Sequence, residues 1–222
     1  PLSKRNGSLS IADLRTEGFL PEAVRNYLGR LGHYYENTHL MTEVELASHF
    51  QFKHLGTAPA RFDQEQLLHW QRESVLRLDS DDFWAWCQDA CGDLVPNAQR
   101  AEFIKAIQGN VLFPRDALLW ANIFFGSAHW STDVHECLQT RYLSYCQTAH
   151  ALLLDYHQSY FTENEFKNFI QTLGNCLQVK GKSLYEPLRL AITGEAHGPD
   201  LGTIASLVSI ADMCHRFSRV IE

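Results

Sequence analysis

No apolar run in this chain reaches the roughly 18 residues that a membrane-spanning helix needs, and the mean hydropathy is −0.24. The amino end shows no basic stretch leading into an apolar segment, so no secretory leader is read there. No initiator Met stands before Pro1, and the chain reads as a piece of a longer protein. The six cysteines, Cys87, Cys91, Cys137, Cys146, Cys176 and Cys214, form no C-x-x-C pair. They fall among helix-forming apolar residues in a chain too large to need staples, which favours reduced thiols in the cytoplasm. Zinc chemistry is equally poorly served: His135-Glu136 lacks the second His of H-E-x-x-H, and the spacings Cys87/Cys91 and Cys146/His150 are those of a buried helical face. No metal is expected. There is no alternating pattern of a half-buried strand and no repeat of 20–50 residues, which counts against a solenoid. Positive charge is also in deficit, with 19 Lys and Arg against 26 Asp and Glu. Composition alone therefore does not point to nucleic acid, whose binding draws on phosphate neutralisation.

What the chain has is helical punctuation. Ser or Thr followed three residues later by an acid, the capping-box pattern, occurs at Ser10/Asp13, Thr42/Glu45, Thr162/Glu165 and Ser183/Glu186. Pro21 suits the first turn of a helix ending near Gly32, with Leu20, Val24, Tyr27, Leu28 and Leu31 at helical spacing. Residues 63–78 read as a helix with Leu67, Trp70, Val75 and Leu78 on its core side. Residues 131–160 form one long helix or two; 164–179 and 199–221 are further helical stretches. The class is all-α. Cations gather early (Lys4, Arg5, Arg15, Arg25, Arg30) and late (Lys180, Lys182, Arg189, Arg216, Arg219), leaving room for a local basic face.

The amino end carries the chemistry. Ser3-Lys4-Arg5 places adjacent cations in a loop, and positioned cations stabilise charge that develops on a triphosphate and its pyrophosphate leaving group. Leu2-Ser3-Lys4-Arg5 resembles the KMSKR signature loop of class I aminoacyl-tRNA synthetases, with Pro1 where a Lys is usual. Three later stretches continue the resemblance in order. Gly18-Phe19-Leu20-Pro21-Glu22-Ala23 through Asn26-Tyr27-Leu28 and Leu31-Gly32 is similar to the segment that follows the loop in bacterial glutamyl-tRNA synthetases. Ala58-Pro59-Ala60-Arg61-Phe62-Asp63 with Leu67-Leu68-His69-Trp70, and Pro187-Leu188-Arg189-Leu190-Ala191-Ile192-Thr193-Gly194 with Gly198-Pro199-Asp200-Leu201, match two more. The chain thus resembles the C-terminal half of a bacterial-type glutamyl-tRNA synthetase.

That resemblance implies a parent enzyme, a glutamate–tRNA ligase that uses ATP with Mg²⁺ to activate glutamate and then charges tRNA-Glu. Lys4 inherits contact with ATP; Ser3 and Arg5 inherit places in the same loop. It implies a stem-contact helical region over 10–78, then anticodon-binding bundles over 79–127 and 128–222, and a monomer. The nucleotide-binding domain would precede Pro1, so this piece by itself binds no cofactor and catalyses nothing. Arg189 and Thr193 are candidate anticodon contacts; their structural alternative is a helix closed by Gly194, with Arg189 paired to an acid. Where many relatives carry an Arg-rich R-P-R, this chain has Gln108 and Asn110. An Arg fork reads one base strictly, whereas a Gln amide offers a donor and an acceptor. Gln108 therefore suggests relaxed reading of C and U, with tRNA-Gln as a second acceptor. Among the aromatics Trp84, Trp86, Trp120, Phe124, Phe125 and Trp130, most are expected in the core and one or two on a base-stacking surface. A different class remains open: a free-standing all-α module that binds tRNA or protein.

Overall fold

A computed structural model describes residues 10–57, 61–128 and 130–222. Its helices are α1 (Ile11–Glu17), α2 (Pro21–Arg30), α3 (Glu43–Ser48), α4 (Gln64–Arg77), α5 (Ser80–Cys91), α6 (Arg100–Ile107), α7 (Pro114–Phe125), α8 (Thr132–Arg141), α9 (Leu143–Leu153), α10 (Glu163–Leu177), α11 (Lys182–Thr193), α12 (Leu201–Leu207) and α13 (Ile210–Ile221). Among the described residues no strand forms; one antiparallel bridge pairs His33 with Leu55. The all-α class holds. Capping boxes close the starts of α1 (Ser10/Asp13), α3 (Thr42/Glu45) and α10 (Thr162/Glu165). The fourth does not form, because α11 begins two residues earlier, at Lys182, behind Gly181, which turns the chain at φ 59°. The segment 131–160 is two helices broken at Tyr142, and 199–221 is two broken between Leu207 and Ile210, with Ser209 capping the second.

The chain forms two compact units, Pro1–Ala90 with Val111–Ala117, and Cys91–Asn110 with Leu118–Glu222. In the first, α2 packs on α4. Ala23 and Tyr27 on one helix and Leu67, Trp70 and Val75 on the other are buried, each large side chain contributing about 1.5–3 kcal/mol. The non-helical run between α2 and α3 is strapped by polar side chains. Asn26 Nδ2 donates to the Met41 carbonyl at 2.7 Å, and the Met41 N–H donates back to Asn26 Oδ1 at 2.8 Å. Arg30 donates to the carbonyls of Asn37 (2.7 Å) and His39 (2.8 Å) while its guanidinium lies 4.4 Å from the Trp70 ring centre. Arg77 donates to the Leu40 carbonyl at 2.7 Å.

In the second unit α9 packs against α13 and α10, and α11 against α13. The core holds Phe103, Phe124, Leu138, Leu153, Phe169, Leu173, Leu188 and Phe217, all nearly inaccessible. One charge lies among them: Arg216 is 3% exposed. Its Nη1 donates to the Ile192 carbonyl at 2.5 Å and its Nη2 to the Ile123 carbonyl at 2.6 Å. Both acceptors lie in the last turns of helices, α11 and α7, where carbonyls lack intrahelical donors and the helix dipole is negative. One buried cation thus closes two helix ends. Burial pushes its guanidinium down to about 10, against the pull of Asp212 and with the repulsion of Arg219.

Candidate nucleic-acid interface

Ser3, Lys4 and Arg5 lie outside the described residues, as do Ala58, Pro59 and Ala60 of the second matched stretch. The remaining candidates fall in the second unit, Gln108 and Asn110 just after α6 and Arg189 and Thr193 on α11.

Arg189 opens onto a cleft of about 610 Å³ lined by Lys182, Tyr185, Glu186, Arg189, Ala196, His197, Asp200 and Leu201. Helix α11 supplies Lys182, Tyr185 and Arg189 at near-helical spacing, so they share one face. The loop after α11 supplies His197, and the start of α12 supplies Asp200 and Leu201. Gly194 ends α11 in the left-handed conformation (φ 76°), which turns the chain back over the helix. Arg189 Nη1 is buried without a hydrogen-bond partner. Burial lowers its pKa, with Asp200 acting in the opposite sense. Burial works to raise the Asp200 carboxyl, but hydrogen bonds from the Thr203 side chain and the Thr203 and Gly202 N–H groups, together with nearby Arg189, hold it below the usual range. The Asp200 oxygens cap α12, accepting from Gly202 N at 3.1 Å and Thr203 N at 2.7 Å. The cleft offers a guanidinium with an unused donor, an ammonium at its rim, an imidazole and a half-exposed phenol. Such a set suits a flat polar ring with a phosphate attached.

Thr193 is placed differently. It is 1% exposed; its hydroxyl donates to the Arg189 carbonyl at 2.7 Å and accepts from the Glu195 N–H at 3.0 Å. Its polar capacity is used in closing α11, and it bears on the cleft by holding the backbone under Arg189. Gln108 is half-buried and Asn110 exposed, in one 3₁₀ turn. Asn110 Nδ2 lies 3.4 Å from the Ala106 carbonyl that it bonds.

Several cations that composition offered to RNA are occupied by protein. Arg30 and Arg216 bond backbone carbonyls as described, and Arg219 donates to the Ala128 carbonyl at 3.1 Å with its guanidinium 4.7 Å from the Trp130 ring centre. Arg25 pairs with Glu22 and Glu43. The aromatics divide similarly: Trp120 and Phe124 are core, Trp86 donates its indole N–H to the Gly18 carbonyl at 3.0 Å, and Trp130 stacks on His135. Tyr185, 46% exposed, lines the Arg189 cleft and is an aromatic ring there that the sequence reading did not single out. Its signal was the four-residue spacing to Arg189. Among the described residues no group of His, Cys, Asp and Glu is arranged to hold a metal, all six cysteines are free, and no helix is long and apolar enough to cross a membrane.

Comparison with known proteins gives a consistent match. Residues 87–221 match the family described as an anticodon binding domain. Glutamate–tRNA ligase 1 of Coxiella burnetii (strain CbuG_Q212) is 38% identical over 213 residues, covering 96% of this chain and 44% of the relative. Glutamate–tRNA ligase 2 of Nitrosococcus oceani is 37% identical over 227 residues, covering 100% of this chain and 46% of the relative. The chain therefore spans a little under half the length of these curated relatives. A crystal structure of a glutamate tRNA ligase from Elizabethkingia meningosepticum shares the fold, with a TM-score of 0.78 at 19% identity over 99% of this chain and 48% of that one. The chain belongs to the anticodon-binding domain family, in the form carried by the C-terminal part of glutamate–tRNA ligases.

Proposed function

We propose that this chain grips tRNA on behalf of a glutamate–tRNA ligase, with the Arg189 cleft as a nucleotide-binding subsite for the anticodon loop. The observation that carries the reading is the position of that cleft. An arginine with a buried, unused donor sits beside an exposed tyrosine, inside the residues matched by the anticodon-binding family. In the parent reaction glutamate attacks the α-phosphorus of ATP and expels pyrophosphate, and the acyl group then passes from the resulting adenylate to the tRNA 3′ end, breaking the mixed anhydride and releasing AMP. Lys4 contacts ATP, Ser3 and Arg5 shape the loop around it, and Mg²⁺ accompanies the nucleotide. Residues 10–78 serve the inner corner of the tRNA, and 79–127 and 128–222 its anticodon end, in a monomeric cytoplasmic enzyme. Gln108 and Asn110 read the third anticodon base loosely, admitting tRNA-Gln beside tRNA-Glu.

Filter binding of the chain to total tRNA tests the reading. Affinity falls steeply between low and high salt. Arg189→Gln weakens binding about tenfold, roughly 1.4 kcal/mol, with an unchanged circular dichroism spectrum. Absence of binding at either salt concentration favours the alternative, a protein-binding helical module. Glutamyl-adenylate formation by the isolated chain would contradict its assignment as the non-catalytic part. Strict rejection of tRNA-Gln by the full-length protein would remove the relaxed reading at Gln108.

A further inference from the structure

Phe52 is the most exposed large apolar side chain among the described residues, at 84%, and Tyr34, at 65%, is the next most exposed aromatic. Both lie in the first unit and are held by one local device. The Tyr34 N–H donates to the His54 carbonyl at 3.0 Å, and the Gly56 N–H to the Gly32 carbonyl at 2.8 Å. Gly32 permits this pairing at φ 92°. His33, in the bridge between the two segments, is buried. Its Nε2 lies 3.1 Å from both the carbonyl oxygen and the N–H nitrogen of Gln51, and its ring stacks on Phe50, centres 4.8 Å apart. Phe50 in turn meets Phe52 edge-on at 5.4 Å, and His54 meets Tyr34 edge-on at 5.9 Å. The two rings are thus braced by neighbours while most of their surface stays in water. The same segments line a cavity of about 160 Å³, formed by Tyr35, Glu36, Asn37, His49, Gln51 and His54. A carboxylate, two carboxamides and two imidazoles there can accept and donate hydrogen bonds. Lys53, exposed in the 3₁₀ turn Phe52–His54, enters no ion pair among the described residues. An apolar protein surface laid here would leave the polar cavity groups unpaired, at a cost. An unpaired nucleotide offers a ring face, a hydrogen-bonding edge and a phosphate together.

We propose that this face of the first unit stacks an unpaired nucleotide of the bound tRNA on the exposed rings of Phe52 and Tyr34, with the base edge in the Glu36–Gln51 cavity and a phosphate at Lys53. The proposal rests on the reading of the chain as a grip on tRNA, but not on the Arg189 cleft, which belongs to the other unit. The test uses the full-length ligase carrying this chain. Filter binding to tRNA-Glu is measured over a salt series, the unpaired nucleotides of the tRNA are probed chemically in the complex, and self-association is followed by sedimentation. Phe52→Ala should weaken binding about tenfold, as expected for one stacked base, and should expose one nucleotide that the parent protein protects. Phe52→Trp should restore both. Lys53→Gln should lower the salt slope by about 1, as loss of one phosphate contact does, whereas Phe52→Ala should leave the slope unchanged. Unchanged tRNA affinity in Phe52→Ala overturns the proposal; if that variant instead abolishes association between copies of the protein, the patch is a protein interface. Weakened binding with an unaltered protection pattern also overturns it, because the ring then stabilises the fold without meeting a base. The two readings fail separately. If Arg189→Gln weakens binding and Phe52→Ala does not, only the stacking face falls. If the parent protein binds no tRNA at any salt concentration, the tRNA reading falls and takes the stacking face with it.

Discussion

The run between α2 and α3 and the α7–α11–α13 cluster solve one problem by opposite means. Both must satisfy backbone groups that no regular hydrogen-bonding pattern reaches. In the first unit the chain between the helices is tied down at several separate points, by Asn26, Arg30 and Arg77, while aromatics such as Tyr34 and Phe52 stay in solvent. In the second unit one guanidinium closes two helix ends from inside the core. Distributed straps fail singly, whereas a shared buried cation concentrates the cost of failure at one position.

Arg216→Met should show the largest effect. It leaves the Ile123 and Ile192 carbonyls buried without donors, each costing about 1–3 kcal/mol. A loss of about 3 kcal/mol or more is expected by urea denaturation; a loss under 1 kcal/mol would mean that water replaces the cation. Asn26→Leu comes next. It strips the Met41 N–H and carbonyl of their partners and should cost about 2–3 kcal/mol, with increased hydrogen exchange at Met41. Unchanged exchange there would show that the straps are redundant and would erase the contrast.

The smallest effect is acid sensitivity at the capping boxes. The Glu45 carboxyl is held below its ordinary value of 4.5 by the Thr42 N–H, then the Thr42 hydroxyl; Glu165 is held down by the Thr162 hydroxyl, then its N–H. A carboxyl depressed in the folded state binds fewer protons than in the unfolded chain. Its contribution is therefore complete above about pH 4.5 and is lost as pH falls through the lower folded value. The double variant Glu45→Gln, Glu165→Gln should flatten the decline of Tm below pH 4.5. An unaltered slope would assign acid sensitivity to other groups.

The helices were legible because caps and periodicity are local. Thr162/Glu165, Pro21 and the Leu67–Trp70–Val75 face each state their role within one or two turns. Ser183/Glu186 misled because Gly181, with its positive φ, started α11 sooner. Ser209 followed by Asp212 did announce the break between α12 and α13, within an apolar run that reads as continuous. The polar clamps were not legible. Gln71 bonds residues 41 to 53 positions away, and Arg216 residues 24 and 93 positions away. No pattern along the chain marks a buried amide or guanidinium as a backbone partner. At the candidate site Arg189 was visible through its motif; Tyr185, His197 and Asp200 came together only through the turn at Gly194.

Gly198 has one further consequence. At φ 145° its backbone runs against the Trp120 ring so closely that a Cβ would lie 2.2 Å from the ring carbons. The peptide that carries His197 and Asp200 is thereby in mechanical register with an indole in the protein interior. Replacing the other four of the five tryptophans with phenylalanine would leave a solitary fluorophore, whose emission should shift when the neighbouring cavity fills.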